Sequence, residues 1–222
     1  MARTRIKMCG TTNPEDALAA VRAGVDGLGF IFVDKSPRNV EPDTARSITR
    51  LLPPFIHAVG VFVDRPVHEV VELVNHCRLT HIQLHGHEDF SYCKELERKG
   101  NRTLIKAFRV GPDTTATEFT DFDDVVQGFL LDTYKKGVAG GTGDTFDWTI
   151  IRRLHLKRPL ILAGGLNPDN VREAIASVRP YAIDINSGVE KAPGIKDHDL
   201  LSGLIRQVRL LEASPDSKIS GQ

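Results

Sequence analysis

Short apolar runs alternate with longer amphipathic stretches along the whole chain. The runs are rich in Val, Ile, Leu and Phe, which is typical of strands buried on both faces of a sheet. Eight strands are predicted: Ile6–Cys9, Gly27–Phe32, His57–Val63, His81–Leu84, Thr103–Phe108, Gly128–Asp132, Pro159–Ala163 and Ala182–Ile185.

The stretches between these runs have helical spacing and helix-end signals. Asn13 can cap a first helix with Pro14 at its first position, and Gly24 can end that helix. Asn167-Pro168-Asp169 predicts another helix start of the same kind. Further helices are predicted over Pro66–Cys77 and Asp199–Leu211, and a weak, short one within Pro112–Val126.

Eight strand–helix units of about 28 residues predict a single parallel (β/α)₈ barrel. The predicted barrel covers residues 1–212, and the polar residues 213–222 are expected to form a disordered tail. A doubly wound open sheet is the alternative architecture. It often carries a glycine fingerprint after its first strand, and Cys9-Gly10-Thr11-Thr12 is not one.

Composition excludes several classes of partner. The 222 residues carry 29 basic and 29 acidic side chains, so no net charge favours binding to nucleic acid or to an anionic membrane. No apolar run approaches the roughly 18 residues of a membrane span, and the basic N-terminus has no apolar signal core, so a cytoplasmic location is expected. Three irregularly spaced cysteines argue against a disulfide framework or a zinc site.

Polar residues and glycines stand where six of the predicted strands end. In a parallel barrel the ends of the strands and the loops after them form one rim, which is where chemistry takes place. The rim positions are Cys9; Arg38 in Ser36-Pro37-Arg38; Gln83 and His85; Asp132, followed by Gly140-Gly141-Thr142-Gly143; Gly164 and Gly165; and Asp184, Ser187 and Gly188.

Each of these positions also has an ordinary structural interpretation. Cys9 could be a small core residue, Arg38 a solvated loop cation, and Gln83 and His85 structural hydrogen-bonding groups. The glycines after strands seven and eight favour a phosphate site more strongly. Glycine lets backbone N–H groups approach an oxyanion, and these two loops commonly hold phosphate in such barrels.

Several stretches, in order along almost the whole chain, are similar to the phosphoribosylanthranilate isomerase family. They are Lys7-Met8-Cys9-Gly10, Ser36-Pro37-Arg38, Gln83-Leu84-His85-Gly86, Leu130-Leu131-Asp132, Gly140-Gly141-Thr142-Gly143 with Phe146-Asp147-Trp148, Leu162-Ala163-Gly164-Gly165-Leu166, and Asp184 with Ser187-Gly188-Val189-Glu190. Each motif is weak alone, and together they are specific. Met8 stands where the family often has Ile, and Asn186 where Ser is common.

The resemblance implies a (β/α)₈ barrel that performs an Amadori rearrangement in tryptophan biosynthesis. It implies that Cys9 is the general base, that Asp132 is the general acid and that Arg38 binds the anthranilate carboxylate. Gln83, His85 and Asp184 are further candidate substrate-binding residues. Gly164, Gly165, Ser187 and Gly188 are the candidate phosphate-binding residues.

This chemistry suits the residue types. Ring opening needs an acid whose pKa is raised towards neutrality, and a thiolate can then remove the proton next to the Schiff base. Positive neighbours are expected to lower the pKa of the Cys9 thiol. Because the carbon skeleton stays intact and no electrons leave the substrate, we expect no cofactor and no metal.

Other functions remain open from sequence. A histidine-pathway isomerase would use two aspartates, and a pentose-phosphate epimerase would add metal-binding histidines. A catalytically silent sugar-phosphate-binding barrel would keep the glycine loops and lose the acid or the base. The expected partner is a small phosphorylated molecule, and either a monomer or a homodimer is compatible with the sequence.

Overall fold

A computed structural model describes residues 3–132 and 148–213. Two of the predicted features therefore lie outside the described residues: Gly140-Gly141-Thr142-Gly143, and the Phe146-Asp147 part of the following motif. Of the predicted tail, Ala213 is the last residue of the final helix, and residues 214–222 lie outside the described residues.

Eight parallel strands close into one barrel. Neighbours along the chain pair with each other, and β8 pairs back onto β1, with Met8 opposite Leu28 on one side and Ile185 on the other. The strands are β1 Arg5–Met8, β2 Gly27–Ile31, β3 His57–Phe62, β4 His81–Leu84, β5 Thr103–Arg109, β6 Gly128–Asp132, β7 Leu160–Ala163 and β8 Ala182–Ile185. The predicted barrel is confirmed, and closure rules out the doubly wound open sheet.

Helices lie between and after the strands, as predicted. They are α1 Pro14–Ala23, α2 Pro42–Thr49, α3 Val67–His76, α4 Phe90–Gly100, α5 Thr117–Thr120, α6 Thr149–Arg153, α7 Val171–Val178 and α8 His198–Ala213. Asn13 Oδ1 accepts from the Asp16 N–H, and Gly24 ends α1 with a φ of 98°, so both predicted ends of that helix are confirmed.

One predicted helix start is wrong. The helix expected at Asn167-Pro168-Asp169 begins only at Val171. The Asn167 side chain accepts from the backbone N–H groups of Asp169 and Asn170, so it stabilises a turn that precedes the helix. The same capping chemistry serves turns and helices, and local sequence alone does not separate them.

The alternation of side chains along each strand separates an outer and an inner layer. Ile6 and Met8 of β1 are fully buried in the large core between the strands and the helices. Inside the barrel, a second apolar cluster fills the wall below the rim: Ile105, Ala107, Leu130, Ile161, Ala163 and Ala182. Lys7 and Cys9, which alternate with Ile6 and Met8, therefore face the interior of the barrel.

A small hairpin follows β8. After a 3₁₀ turn at Ser187–Val189, β9 Glu190–Ala192 pairs antiparallel with β10 Ile195–Lys196. The Lys196 N–H donates to Asp16 of α1 at 2.9 Å, so the hairpin is tied to the opposite end of the sequence. In the described part of the chain, no helix has both the length and the apolar character to cross a membrane.

Candidate active site

The proposed base, Cys9, lies one residue after β1 in a buried and charged environment. Its backbone N–H donates to the Ile185 carbonyl at 2.8 Å, which fixes it beside β8, and its side chain is only 5% exposed. Lys7 lies two residues earlier on the same face and donates from Nζ to Asp184 Oδ2 at 2.7 Å. A thiol, an ammonium and a carboxylate thus meet at the interior wall between β8 and β1.

The structure contradicts the expectation that positive neighbours outweigh burial and leave the pKa of Cys9 below its usual value. Burial is the largest influence and raises the pKa of the thiol, and the charge of Asp184 raises it further. Lys7 and Lys196 act in the opposite direction without overcoming burial. The sequence predicted a positive neighbour in Arg38, but it predicted neither the contributions of Lys7 and Lys196 nor the depth at which the sulfur is buried.

The guanidinium of Arg38 is bound by the carboxylate of Glu190, for which no role was predicted from the sequence. Arg38 Nε lies 2.9 Å and Nη2 lies 2.7 Å from the Glu190 carboxylate, a bidentate pair between the loop after β2 and β9. Hydrogen bonds from Arg38 and Lys196 lower the pKa of Glu190 although its burial opposes them. The pair therefore stays ionised, and Nη1 is not used by Glu190.

Lys196 of β10 also contacts Glu190 and so joins the Arg38–Glu190 pair. Its side chain is fully buried and donates to Glu190 Oε1 at 2.8 Å and to Asn186 Oδ1 at 3.0 Å. Asn186, the departure from the family pattern, thus uses its side-chain oxygen to hold Lys196. Gly10 makes room for this arrangement, since a Cβ there would lie 2.8 Å from Asn186 Oδ1 and 2.9 Å from Arg38 Cδ.

The proposed acid, Asp132, is the last residue of β6, and its side chain approaches His85, which directly follows β4. Its Oδ2 is 3.5 Å from His85 Nε2, and about a fifth of its side chain is exposed. Gln83 Nε2 lies 3.2 Å from His85 Nδ1 and can donate to it. When Nδ1 accepts from Gln83, Nε2 is the ring nitrogen available to donate to Asp132.

Besides Thr11 Oγ1 in the loop after β1, two buried oxygens at the rim have no protein hydrogen-bond partner within the described residues. They are Gln83 Oε1 and Asp184 Oδ1. Buried acceptors are nearly always hydrogen-bonded in folded proteins, so an orphaned acceptor needs an explanation. Donors such as the hydroxyl groups of a sugar would satisfy both atoms.

The loops after β7 and β8 lie against each other. Gly164 and Gly165 have φ values of 96° and 64°, a region that favours glycine. A Cβ on Gly188 would lie 2.0 Å from the Leu166 carbonyl oxygen, so only glycine allows the second loop to approach the first this closely. Ser187 begins the 3₁₀ turn in that second loop.

The structure thus places the predicted residues at the rim in three groups: Cys9 with Asp184, Asp132 with Gln83 and His85, and the glycine loops, with Arg38 near the first group. The contributions of Lys7, Glu190 and Lys196 were not predicted from the sequence. For Lys7 a signal was available, because a charged residue two positions before Cys9 in an apolar strand must share its face. For Glu190 and Lys196 no local pattern indicated a partner 152 residues away or a buried charge.

Comparison with known proteins gives a consistent result. A family model described as N-(5'phosphoribosyl)anthranilate (PRA) isomerase matches residues 6–207. An N-(5'-phosphoribosyl)anthranilate isomerase from Trichlorobacter lovleyi is 47% identical over 92% of this chain and 98% of its own. The crystal structure of a phosphoribosyl anthranilate isomerase from Thermus thermophilus is 38% identical, with a TM-score of 0.81 over 94% of this chain and 100% of its own.

A third protein adds a ligand. It is a phosphoribosyl anthranilate isomerase solved in complex with reduced 1-(o-carboxyphenylamino)-1-deoxyribulose 5-phosphate, 38% identical with a TM-score of 0.77 over 93% of this chain and 98% of its own. That ligand carries a carboxylate at one end and a phosphate at the other.

Proposed function

The chain belongs to the N-(5'-phosphoribosyl)anthranilate isomerase family of tryptophan biosynthesis, and we propose that it carries out this reaction with the residues gathered at its rim. The reaction converts N-(5-phosphoribosyl)anthranilate into 1-(2-carboxyphenylamino)-1-deoxy-D-ribulose 5-phosphate. The observation that carries the proposal is the family match over residues 6–207, which spans every proposed site residue.

Asp132 acts first, as the general acid. It gives its proton to the furanose ring oxygen as the bond between that oxygen and carbon 1 breaks, and a protonated Schiff base forms. His85 Nε2 faces the Asp132 carboxyl at 3.5 Å, where it can hold the carboxylate that remains after the transfer. The orphaned acceptor of Gln83 suits a sugar hydroxyl at the same side of the rim.

Cys9 then acts as the general base. Its thiolate removes the proton from carbon 2, and the enolamine that forms tautomerises to the ketone. Burial favours the neutral thiol in the free protein, because it raises the pKa of Cys9. The positive charge of the bound Schiff base opposes this effect, since a nearby cation favours the thiolate. Base formation is thereby coupled to the presence of the reactive intermediate.

Arg38 binds the anthranilate carboxylate. Glu190 accepts hydrogen bonds from Nε and Nη2 of Arg38. The side of the guanidinium that carries Nη1 is therefore the side that can bind a ligand. The phosphate lies against Gly164, Gly165, Ser187 and Gly188, where two glycine-containing loops converge. Asp184 offers its orphaned oxygen to the ribulose chain.

A turnover assay tests the function directly. Freshly prepared phosphoribosylanthranilate is added to the purified protein, and the loss of its fluorescence is followed against the Cys9→Ala variant. We expect rapid conversion with the native chain and almost none with the variant. A folded native protein that shows no turnover would favour the silent sugar-phosphate-binding barrel.

We also propose a cytoplasmic location, where such a thiol stays reduced.

A further inference from the structure

A buried lysine with no part in the reaction described above lies next to the proposed base. Lys7 is 7% exposed in the interior wall of the barrel, and its ammonium is paired with Asp184, which is 8% exposed. Burying an ion pair costs free energy that the attraction between the charges often does not recover. An apolar pair would fill this wall at least as well, so stability gives no reason for the charges.

The geometry brings this ammonium to the sulfur. Lys7 and Cys9 alternate with Ile6 and Met8, so both point inwards from the same end of β1. They converge on the space above Gly29 of β2. A Cβ on that glycine would lie 2.7 Å from Cys9 Sγ and 3.0 Å from Lys7 Nζ. The missing side chain of Gly29 thus creates the gap that the two groups share.

We propose that Lys7 is a positioning residue for the general base: its ammonium, held in place by Asp184, faces the Cys9 sulfur and stabilises the thiolate. The inference rests on the proposed role of Cys9. Lys7 does not touch the substrate and keeps its proton throughout. When the thiolate forms, the thiol proton leaves to water, and the next proton that the sulfur receives comes from carbon 2.

Four charged groups face Cys9, from four different elements. Lys7 lies on β1, Asp184 on β8, Lys196 on β10 and Arg38 in the loop after β2. Of these neighbours, Lys7 lowers the pKa of Cys9 the most. Asp184 raises that pKa, by less than Lys7 lowers it. The pKa of Lys7 is itself raised, because Asp184 and Cys9 outweigh its burial. Lys7 therefore stays charged where it is needed.

The test is a titration of the thiolate that needs neither substrate nor turnover. In the Cys77→Ala, Cys93→Ala background, Cys9 is the remaining cysteine, and its ultraviolet thiolate absorbance is followed against pH. The same titration with Cys9→Ser is subtracted. Lys7→Met keeps the length of the side chain and removes the charge. We expect it to move the midpoint of the Cys9 titration upwards by about one pH unit or more.

Two further variants complete the test. Lys106→Met removes another buried strand lysine and its 2.9 Å ion pair with Glu88, away from Cys9, and should leave the midpoint unchanged. Lys7→Met leaves Asp184 buried without a partner and could fail to fold, so Lys7→Met with Asp184→Asn removes both charges. Its midpoint should also rise, by less than in the single variant. An unchanged or lowered midpoint in the folded Lys7 variants overturns the proposal.

Turnover separates this inference from the proposed function. If the native chain is an active isomerase but its midpoint does not depend on Lys7, the inference fails and the function stands. If the midpoint moves but Cys9→Ala turns over normally, the Lys7–Cys9 interaction is real and the role of Cys9 as the base is wrong. When both hold, the acid limb of kcat/KM in Lys7→Met moves to higher pH by the same amount.

Discussion

The side chain of Asp132 can be replaced by an amide of the same shape that cannot act as an acid. We expect Asp132→Asn to fold normally and to lose a factor of about 10² to 10⁴ in kcat, because an amide cannot donate a proton to the ring oxygen. KM should change little. Steady-state fluorescence assays measure both constants, with Asp121→Asn, an exposed acidic residue, as the control. Near-native kcat in Asp132→Asn would remove Asp132 from the acid role.

Arg38 and Glu190 act as a pair, and their variants should differ in degree. Arg38→Met removes the carboxylate-binding group, so KM should rise by a factor of about 10 to 100, with a smaller change in kcat. Glu190→Gln keeps Arg38 but loosens its orientation, so KM should rise by less. Exposed Arg50→Met is the matched control.

Product analogues with and without the aromatic carboxylate make this test specific. Titration calorimetry should show that both variants weaken binding of the carboxylate-bearing analogue and bind the other as the native chain does. Equal losses for the two analogues would mean that Arg38 supports the shape of the site and does not bind the carboxylate.

At the scale of elements, the loops after β7 and β8 depend on one close contact. Gly188→Ala would place a methyl group 2.0 Å from the Leu166 carbonyl oxygen, so the two loops must separate. We expect weaker competitive inhibition by inorganic phosphate and a KM raised by about tenfold, since phosphate binding is largely shared by ground and transition states. Inhibition constants measured in a phosphate series check this.

Gly203 of α8 provides the control, because nothing lies within 4 Å of a Cβ at that position. Gly203→Ala should leave phosphate inhibition unchanged and stabilise the helix slightly. If both glycine variants bind phosphate as the native chain does, the anion site lies elsewhere.

The elements were predictable where the signal was local. The bounds of β4, β6 and β8 coincide with their predicted ranges. A short apolar run between turn residues is typical of a strand that is buried on both faces. Asn167 misled because side-chain capping also stabilises turns. The ends of the strands identified Cys9 and Asp132 as candidate site residues, and their roles as base and acid came from the family resemblance and stay predictions. The partners of Arg38 and Lys7 depend on which distant strands become neighbours, and the burial that sets the pKa of Cys9 depends on the closed barrel.

At the scale of the whole molecule, the two ends of the barrel differ: the proposed site lies where the strands end, and the residues where the strands begin contribute to stability. The proposed reactive groups lie where the strands end, whereas His57 and His81 begin β3 and β4 and pack edge to face with their ring centroids 4.5 Å apart. Residues at that opposite end of such barrels serve stability. Burial lowers the pKa of His81 to about 4, and the neighbouring His57 adds to this.

His81 should therefore make stability depend on pH. Between pH 6.5 and about 4 the unfolded chain binds a proton at His81 that the folded chain does not, so stability falls as the pH falls through this window. The contribution reaches about 3 kcal/mol when complete. Urea unfolding of the native chain at pH 7, 5.5 and 4.5 measures the total slope.

The matched comparison isolates this residue from every other titrating group. His81→Gln should lose less stability than the native chain over the same pH range, and His68→Gln, at an exposed position of α3, is the control variant. Catalysis at neutral pH should be unaffected by either change. Parallel slopes for all three proteins would show that His81 is protonated equally in both states.

The ion pairs near Cys9 join residues that leave the ribosome at very different times. Lys7 and Asp184 are 177 residues apart, and Arg38 and Glu190 are 152 apart. At about 5 to 20 residues per second, the ribosome releases Lys7 roughly ten to thirty-five seconds before its partner. Throughout that interval Lys7 has no Asp184 to pair with, and Arg38 has no Glu190 to hold its guanidinium. We therefore expect turnover in a translation mixture to begin only after β8 has closed the barrel and β9 has brought Glu190 to Arg38.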